Sequence, residues 1–208
     1  MFGRLRATMQ RLFTPLANLL IRWGVSPDAV TVAGTVVVTV LALTLLPTGH
    51  LTLGALLIGL FVLTDSLDGV MARASGRSGP WGAFLDSTLD RVSDGAVFAG
   101  ITLWFVLHPD EPWAVAGTMA ALACLVLGSV VPYARARAES VGASAAVGIA
   151  ERSDRLVIAL VPTTFVQAGM PVPVLVVVLA LLAVVSLVTV AQRIATVRRQ
   201  LLPTTEEA

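Results

Sequence analysis

Apolar residues run almost unbroken through six stretches of this chain, roughly 28–46, 52–72, 83–107, 113–134, 155–169 and 172–194. A helix needs about 20 apolar residues to cross some 30 Å of hydrocarbon, and all but the fifth stretch are of that order. The fifth contains Pro162 and has to borrow residues from Arg152 onward. Residues 1–24 read differently. Phe2, Leu5, Met9, Leu12, Leu16, Leu19 and Trp23 recur every three or four positions, accompanied by Arg4, Arg6, Arg11 and Arg22. That pattern predicts an amphipathic helix lying in the membrane interface, bent at Pro15, rather than a signal peptide. The acidic tail 201–208 is expected to be disordered. The pattern therefore predicts an all-α integral membrane protein: an N-terminal amphipathic interfacial helix over 1–24, six transmembrane helices, and one domain over 1–208.

Composition agrees. Of 208 residues, 56% are hydrophobic and 13% charged, against about 25% charged in soluble domains. All 14 basic residues are arginines, and the runs segregate them. Arg4–Arg22, Arg73 and Arg77, Arg135–Arg155 and Arg193–Arg199 fall on one side. The loops 47–50, 108–112 and 167–173 on the other side hold none, and only Arg91 lies within a run. The positive-inside rule then puts both termini and both long loops in the cytoplasm, which requires an even number of spans. The cell membrane is the expected location. A single cysteine, Cys124, excludes a disulfide framework and a cysteine-based zinc site. Disorder, secretion and nucleic-acid binding do not fit this composition.

Asp65 and Asp68 stand three apart near the end of the second stretch, and Asp86 and Asp90 four apart near the start of the third. On helices both spacings put the pair on one face. Two antiparallel helices joined by 74–81 bring those faces together. Ionisable groups within spans are costly and mark functional sites. Four carboxylates in a low dielectric repel one another, with only Arg73 and Arg91 near in sequence to compensate. A hard divalent cation such as Mg²⁺, Mn²⁺ or Ca²⁺ is the economical counter-charge; the alternative is a set of water-facing helix-end aspartates. Gly69 lets a ligand lie against the backbone, and 76–82 reads as a turn whose amides can meet phosphate oxygens. Carboxylate-held metal, small residues and arginine are what phosphoryl transfer from a nucleotide requires.

The segment Asp65-x₂-Asp68-Gly69-x₂-Ala72-Arg73-x₈-Gly82-x₃-Asp86-x₃-Asp90 fills eight fixed positions over 26 residues and resembles the signature of the CDP-alcohol phosphotransferases. The resemblance implies a membrane enzyme that exchanges CMP on a CDP-linked donor for an alcohol. It implies two divalent ions, Mg²⁺ foremost and Mn²⁺ as substitute, held by Asp65, Asp68 and Asp86 with Asp90 beside them. It makes Asp90 the general base, Arg73 a contact to a donor phosphate, and Gly69 the space for cytidine. The family's donor site also draws on the start of the first span, here Asp28, Ala29, Val30 and Thr31; Asp28 reads equally well as an ordinary first-turn residue behind Pro27. Gly79 falls where some relatives offer a hydroxyl, and Ser78 is the substitute. A homodimer is implied too, and Gly117, Ala120, Ala121 and Gly128 are small enough for close helix packing.

The acceptor is read from a second set of arginines: Arg135 and Arg137 ending the fourth stretch, Arg152 and Arg155 opening the fifth, and Arg193 ending the sixth. Topology alone explains them as positive-inside anchors. Against that, Arg152 and Arg155 open a helix, where its dipole favours acids unless an anion binds. Clustered arginines point to a phosphate on the acceptor. The strings 133–139, 148–155 and 192–200 resemble the actinobacterial branch of the family that makes phosphatidylinositol phosphate from CDP-diacylglycerol and 1D-myo-inositol 3-phosphate. Relatives often carry lysine at Arg135. The runner-up acceptor is glycerol 3-phosphate, which would make the chain a phosphatidylglycerophosphate synthase. From another class, a divalent-cation transporter would need its carboxylates at mid-span, not at one end. Arg91 and Asp94 read as a local ion pair, and Trp81, Trp104 and Trp113 as interfacial residues.

Overall fold

The computed structural model of the protein describes residues 13–64, 66–76, 78–149 and 152–202. Residues 1–12 of the expected interfacial helix and 203–208 of the expected disordered tail lie outside them. Helical residues 13–22 form α1, followed by α2 (Pro27–Thr44), α3 (Leu51–Thr64), α4 (Ser66–Ala74), α5 (Pro80–Leu107), α6 (Ala114–Ser140), α7 (Arg152–Val166) and α8 (Val172–Leu201). Each of the six apolar stretches has become helix, and no strand occurs among the described residues. Leu201, expected in the tail, is the last residue of α8.

Local chemistry sets the breaks. Helix α1 ends where Gly24 takes φ +79°, with Val25 N donating to Leu20 O and Gly24 N to Ile21 O, a Schellman-type stop. Two residues later Ser26 caps α2, its Oγ accepting from Ala29 N at 3.2 Å, and Pro27 occupies the first helical position. Among the described residues, four helical stretches are long and apolar enough to cross a membrane: Pro27–Thr44, Leu51–Ala74, Ala114–Ser140 and Val172–Leu201. Helix α5 has ample length, 28 residues, but carries Asp86, Asp90, Arg91 and Asp94 within about its first four turns. Helix α7 has 15 residues, runs through Pro162 and stops at the turn after Val166. The protein is thus an all-helical, multi-pass membrane protein.

Helix neighbours follow a closed circuit: α2 packs on α5, α5 on α6, α6 on α8, α8 on α7, α7 on α3, and α3 back on α2. Inside lie Leu46, Leu51, Ile58, Ile101, Phe105, Leu156, Leu175 and Leu179, all but fully buried. Close approaches depend on missing side chains. A Cβ on Gly100 would strike the Ala42 carbonyl, and one on Gly117 the Phe105 ring. Gly117, Ala120, Ala121 and Gly128 are all buried on α6; Phe105 fills the space over Gly117, whereas a Cβ on Gly128 would meet nothing within 4 Å. Trp104, expected in an interfacial belt, is instead buried, edge-on to Phe105. Several buried hydroxyls bond along their own helices, as when Thr163 donates to Ala159 O and Ser186 to Leu182 O.

Helix α1 is apolar on two sides. Phe13 and Ala17 are buried with Leu67, Val70 and Met71 of α4, while Leu16, Leu19 and Trp23 face outward. Its packing against α4 fixes the helix that carries Asp68, Gly69 and Arg73.

Candidate functional site

At one end of the circuit, the start of α2 faces the end of α4 and the start of α5. Pro27, Asp28, Thr31, Asp68, Gly69, Ala72, Arg73, Ser78, Gly79, Gly82, Ala83 and Asp86 line one open cleft of about 230 Å³. The i, i+4 rule puts Arg73 over Gly69, where a Cβ would lie 3.4 Å from Arg73 Nη1. Thr31 Oγ1 donates to Asp68 Oδ2 at 2.5 Å, and Gly69 N donates to Asp68 Oδ1 at 2.5 Å. The Asp68 carboxylate is thereby oriented from two sides, by α2 and by its own helix. On the outer rim Trp81 Nε1 donates to Asp28 Oδ2 at 2.9 Å.

The lining of this cleft carries three carboxylates, Asp28, Asp68 and Asp86, against one arginine, Arg73. Such an oxygen-rich, net-negative wall suits a hard cation, which in turn admits phosphate oxygens beside Arg73. Asp90 follows Asp86 by one turn. Arg91 Nη2 stands 3.5 Å from Asp90 Oδ2 and 3.8 Å from Asp94 Oδ2, so the expected ion pair with Asp94 also takes in Asp90. Asp65 lies outside the described residues. Among the described residues, no three carboxylate, imidazole or thiol side chains converge to hold a metal ion by themselves.

Ala29 and Val30 do not line the cleft. They turn to an apolar groove of about 350 Å³ that shares Thr31 and Asp68 with it and runs past Val38, Phe61, Val62 and Leu67. The reason is helical: Asp28 and Thr31 are three apart and share a face, while Ala29 and Val30 fall to its side.

The second arginine set is less unified. Arg155 is 5% exposed in the first turn of α7. Arg193 donates through Nε to Val147 O at 2.9 Å and through Nη1 to Val131 O, and stands close enough to Arg135 to feel its charge. Arg135 itself pairs with Glu139 at 3.0 Å on the surface of α6. Arg137 donates to Ser140 Oγ and borders a groove between α6 and α8 with Arg193 and Arg198. Arg152 opens α7, and its side chain lies outside the described part of the molecule.

Two features escaped the sequence. Trp81 read as a membrane-belt residue, yet its indole N–H is directed at Asp28 across 53 positions. Thr189 carried no motif and Gln200 was only the last residue of the string 192–200, yet both bind the backbone between α6 and α7. Only long-range pairing defines such contacts, so no local pattern announces them.

A family model for CDP-alcohol phosphatidyltransferase matches residues 24–152, and the chain belongs to that family. It is thus a phosphotransferase enzyme. The chain is 48% identical over 201 residues to the phosphatidylinositol phosphate synthase of Streptomyces avermitilis, covering 94% of this chain and 81% of that one. It is similar to the crystal structure of the Mycobacterium tuberculosis phosphatidylinositol phosphate synthase with CDP-DAG bound, at TM-score 0.84 and 43% identity over 90% of this chain and 94% of that one. The same mycobacterial protein in complex with manganese and citrate matches at TM-score 0.82 and 44% identity, over 89% and 88% of the two chains.

Proposed function

We propose that this chain transfers the phosphatidyl group of CDP-diacylglycerol to 1D-myo-inositol 3-phosphate and releases CMP. The observation that carries this reading is the shared cleft of Asp28, Thr31, Asp68, Gly69, Arg73, Ser78, Gly79 and Asp86, in a chain close to relatives named for that reaction. The donor's pyrophosphate lies beside Arg73 and its cytidine against Gly69. Ala29 and Val30 serve its acyl chains, since they face the adjoining apolar groove.

Asp65, Asp68 and Asp86, with Asp90 beside them, would hold divalent cations, Mg²⁺ in the cell and two in number; the carboxylate lining fits such ions, and a similar protein binds manganese. Bound there, they supply Lewis-acid polarisation at the phosphorus under attack and charge neutralisation on the leaving CMP. Asp90 accepts the proton from the acceptor hydroxyl as its oxygen bonds to the phosphatidyl phosphorus. The bond from that phosphorus to CMP breaks, and CMP leaves with the bonding pair. Arg91 keeps the Asp90 charge compensated before the proton arrives. Trp81 positions Asp28. Changing Trp81→Phe keeps the ring and deletes the N–H, so the KM for CDP-diacylglycerol should rise about two- to tenfold, the worth of one hydrogen bond. Steady-state kinetics with the acceptor saturating will measure it, and an unchanged donor KM would remove Trp81 from the site.

The acceptor phosphate meets Arg135, Arg137, Arg152, Arg155 and Arg193, with buried Arg155 as the principal contact. Replacing Arg155→Gln should raise the KM for inositol 3-phosphate about 10- to 100-fold, as expected for a charge-assisted hydrogen bond. The donor KM should stay within about twofold, because no donor contact is touched. An effect confined to the donor would contradict the phosphorylated-acceptor reading.

In the membrane, α2, the α3–α4 stretch, α5, α6, α7 and α8 make six spans, with α1 in the interface and both termini in the cytoplasm. The arginine-free loops on the far side support this orientation. Helices α5 and α7 cross as members of the circuit, α5 between α2 and α6 and α7 between α3 and α8. The chain acts as one domain over 1–208 in the plasma membrane, with the active site on the cytoplasmic side and a second copy as partner.

A further inference from the structure

The connector between α6 and α7 has little with which to pack. Residues 141–149 include Gly142, Ala143, Ser144, Ala145, Ala146 and Gly148. A free chain of such residues would stay disordered, since ordering its backbone costs entropy that alanine and glycine side chains do little to offset. Instead it lies along the last three turns of α8, tied through its backbone. Ser144 N donates to Gln200 Oε1 at 2.8 Å, and Gln200 Nε2 donates to Ser144 O at 2.7 Å, so one amide side chain satisfies both polar atoms of one residue. Farther along, Arg193 Nε donates to Val147 O, and Ile149 N donates to Thr189 Oγ1 at 3.4 Å. Ala143 and Ala145 pack with Ala138 and Val197. Thr189, Arg193 and Gln200 are four and seven apart and share one face of α8.

The strap is tight at its far end. Gly148 has φ +151°, a conformation side chains rarely adopt, and a Cβ there would lie 2.7 Å from Thr189 Cγ2. Immediately beyond this point α7 begins, with Arg155 buried in its first turn. Arg193 takes part in both structures, tying the strap with Nε and reaching Val131 of α6 with Nη1.

We infer that Gln200 is a positioning residue for the acceptor site: by clamping Ser144 it holds the strap in register along α8, and the strap sets where Arg155 and Arg193 stand. The inference rests on the reading of those two arginines as the acceptor-phosphate site. Gln200 touches neither reactant. It lies at the end of α8, far along the chain from the donor residues. Its loss should therefore move acceptor binding and leave donor binding alone.

The experiment compares the full-length protein with Gln200→Ala, which loses both bonds, and Gln200→Glu, which keeps an acceptor for Ser144 N and loses the donor to Ser144 O. Three readouts are taken: acceptor KM, donor KM, and hydrogen exchange of the 141–149 amides. For Gln200→Ala, acceptor KM should rise about three- to tenfold, the effect of one or two exposed hydrogen bonds, with donor KM and kcat within twofold and faster exchange in 141–149. Gln200→Glu should give a smaller change in the same direction. Faster exchange with an unchanged acceptor KM would overturn the inference, leaving the strap a purely structural tie. A parallel rise in both KM values would overturn it as well. Kinetics use whichever phosphorylated alcohol releases CMP with the unaltered protein. If that alcohol is not inositol 3-phosphate, the reading of the acceptor fails while the Gln200 comparison still stands.

Discussion

Asp90→Asn should lower kcat by about 10²- to 10⁴-fold, the range a positioned general base contributes, while CDP-diacylglycerol still binds. Asparagine keeps the size and one oxygen of the side chain but cannot take a proton. The nearby geometry favours a clean result. Asp90 stands beside Arg91, which also pairs with Asp94, so the arginine keeps a partner when Asp90 becomes neutral. The donor cleft is formed by α2, α4 and the first two turns of α5, one turn short of Asp90, and should persist. Single-turnover CMP release separates the chemical step from binding, and a donor-binding isotherm provides the control. Turnover within a few fold of the unaltered protein would remove Asp90 as the base.

Asp68→Asn should be as damaging for a different reason. Both oxygens of Asp68 are already directed, one by Thr31 and one by the Gly69 amide, so asparagine can occupy the same place. What it removes is charge. The cleft lining falls from three carboxylates to two, and a hard divalent cation depends on such anionic oxygens. Mn²⁺ affinity and CMP release should fall together, activity by about 10²-fold or more given the several kcal/mol a Lewis-acid metal supplies. Raising the metal concentration should restore part of the rate. An Asp68→Asn protein that binds Mn²⁺ and turns over normally would contradict the assignment of this carboxylate to the metal.

Much of this architecture was legible because its signals are one-dimensional. Long apolar runs become helices whatever they touch, and all six did so. Of the four aspartates, Asp68 and Asp86 reach one cleft from two helices, while Asp90 stands one turn beyond it and Asp65 lies outside the described residues. The turn between α4 and α5 was likewise announced by Gly76 and Pro80. What stayed hidden depends on azimuth and on partners distant in sequence. Ala29 and Val30 are adjacent to Asp28 yet face the apolar groove, because each residue turns the helix by about 100°. Trp104 reads like Trp81 in a string of letters, but one is buried against Phe105 while the other is 62% exposed and bonded to Asp28. The small residues of α6 suggested a contact between copies, whereas Phe105 already fills the space over Gly117. Arginines at the ends of runs gave topology but not grouping. Arg137 turns to an outer groove, and Arg193 is partly engaged by backbone carbonyls.

The central claim, phosphatidyl transfer to a phosphorylated inositol, is tested most directly by acceptor-dependent CMP release. Detergent-solubilised protein is given CDP-diacylglycerol and Mg²⁺ with inositol 3-phosphate, free inositol, glycerol 3-phosphate or serine. Release with inositol 3-phosphate alone, accompanied by phosphatidylinositol phosphate in the lipid extract, is the predicted result. Release only with glycerol 3-phosphate would contradict it, keeping the aspartates and the donor cleft in place but assigning the arginine set to a different alcohol.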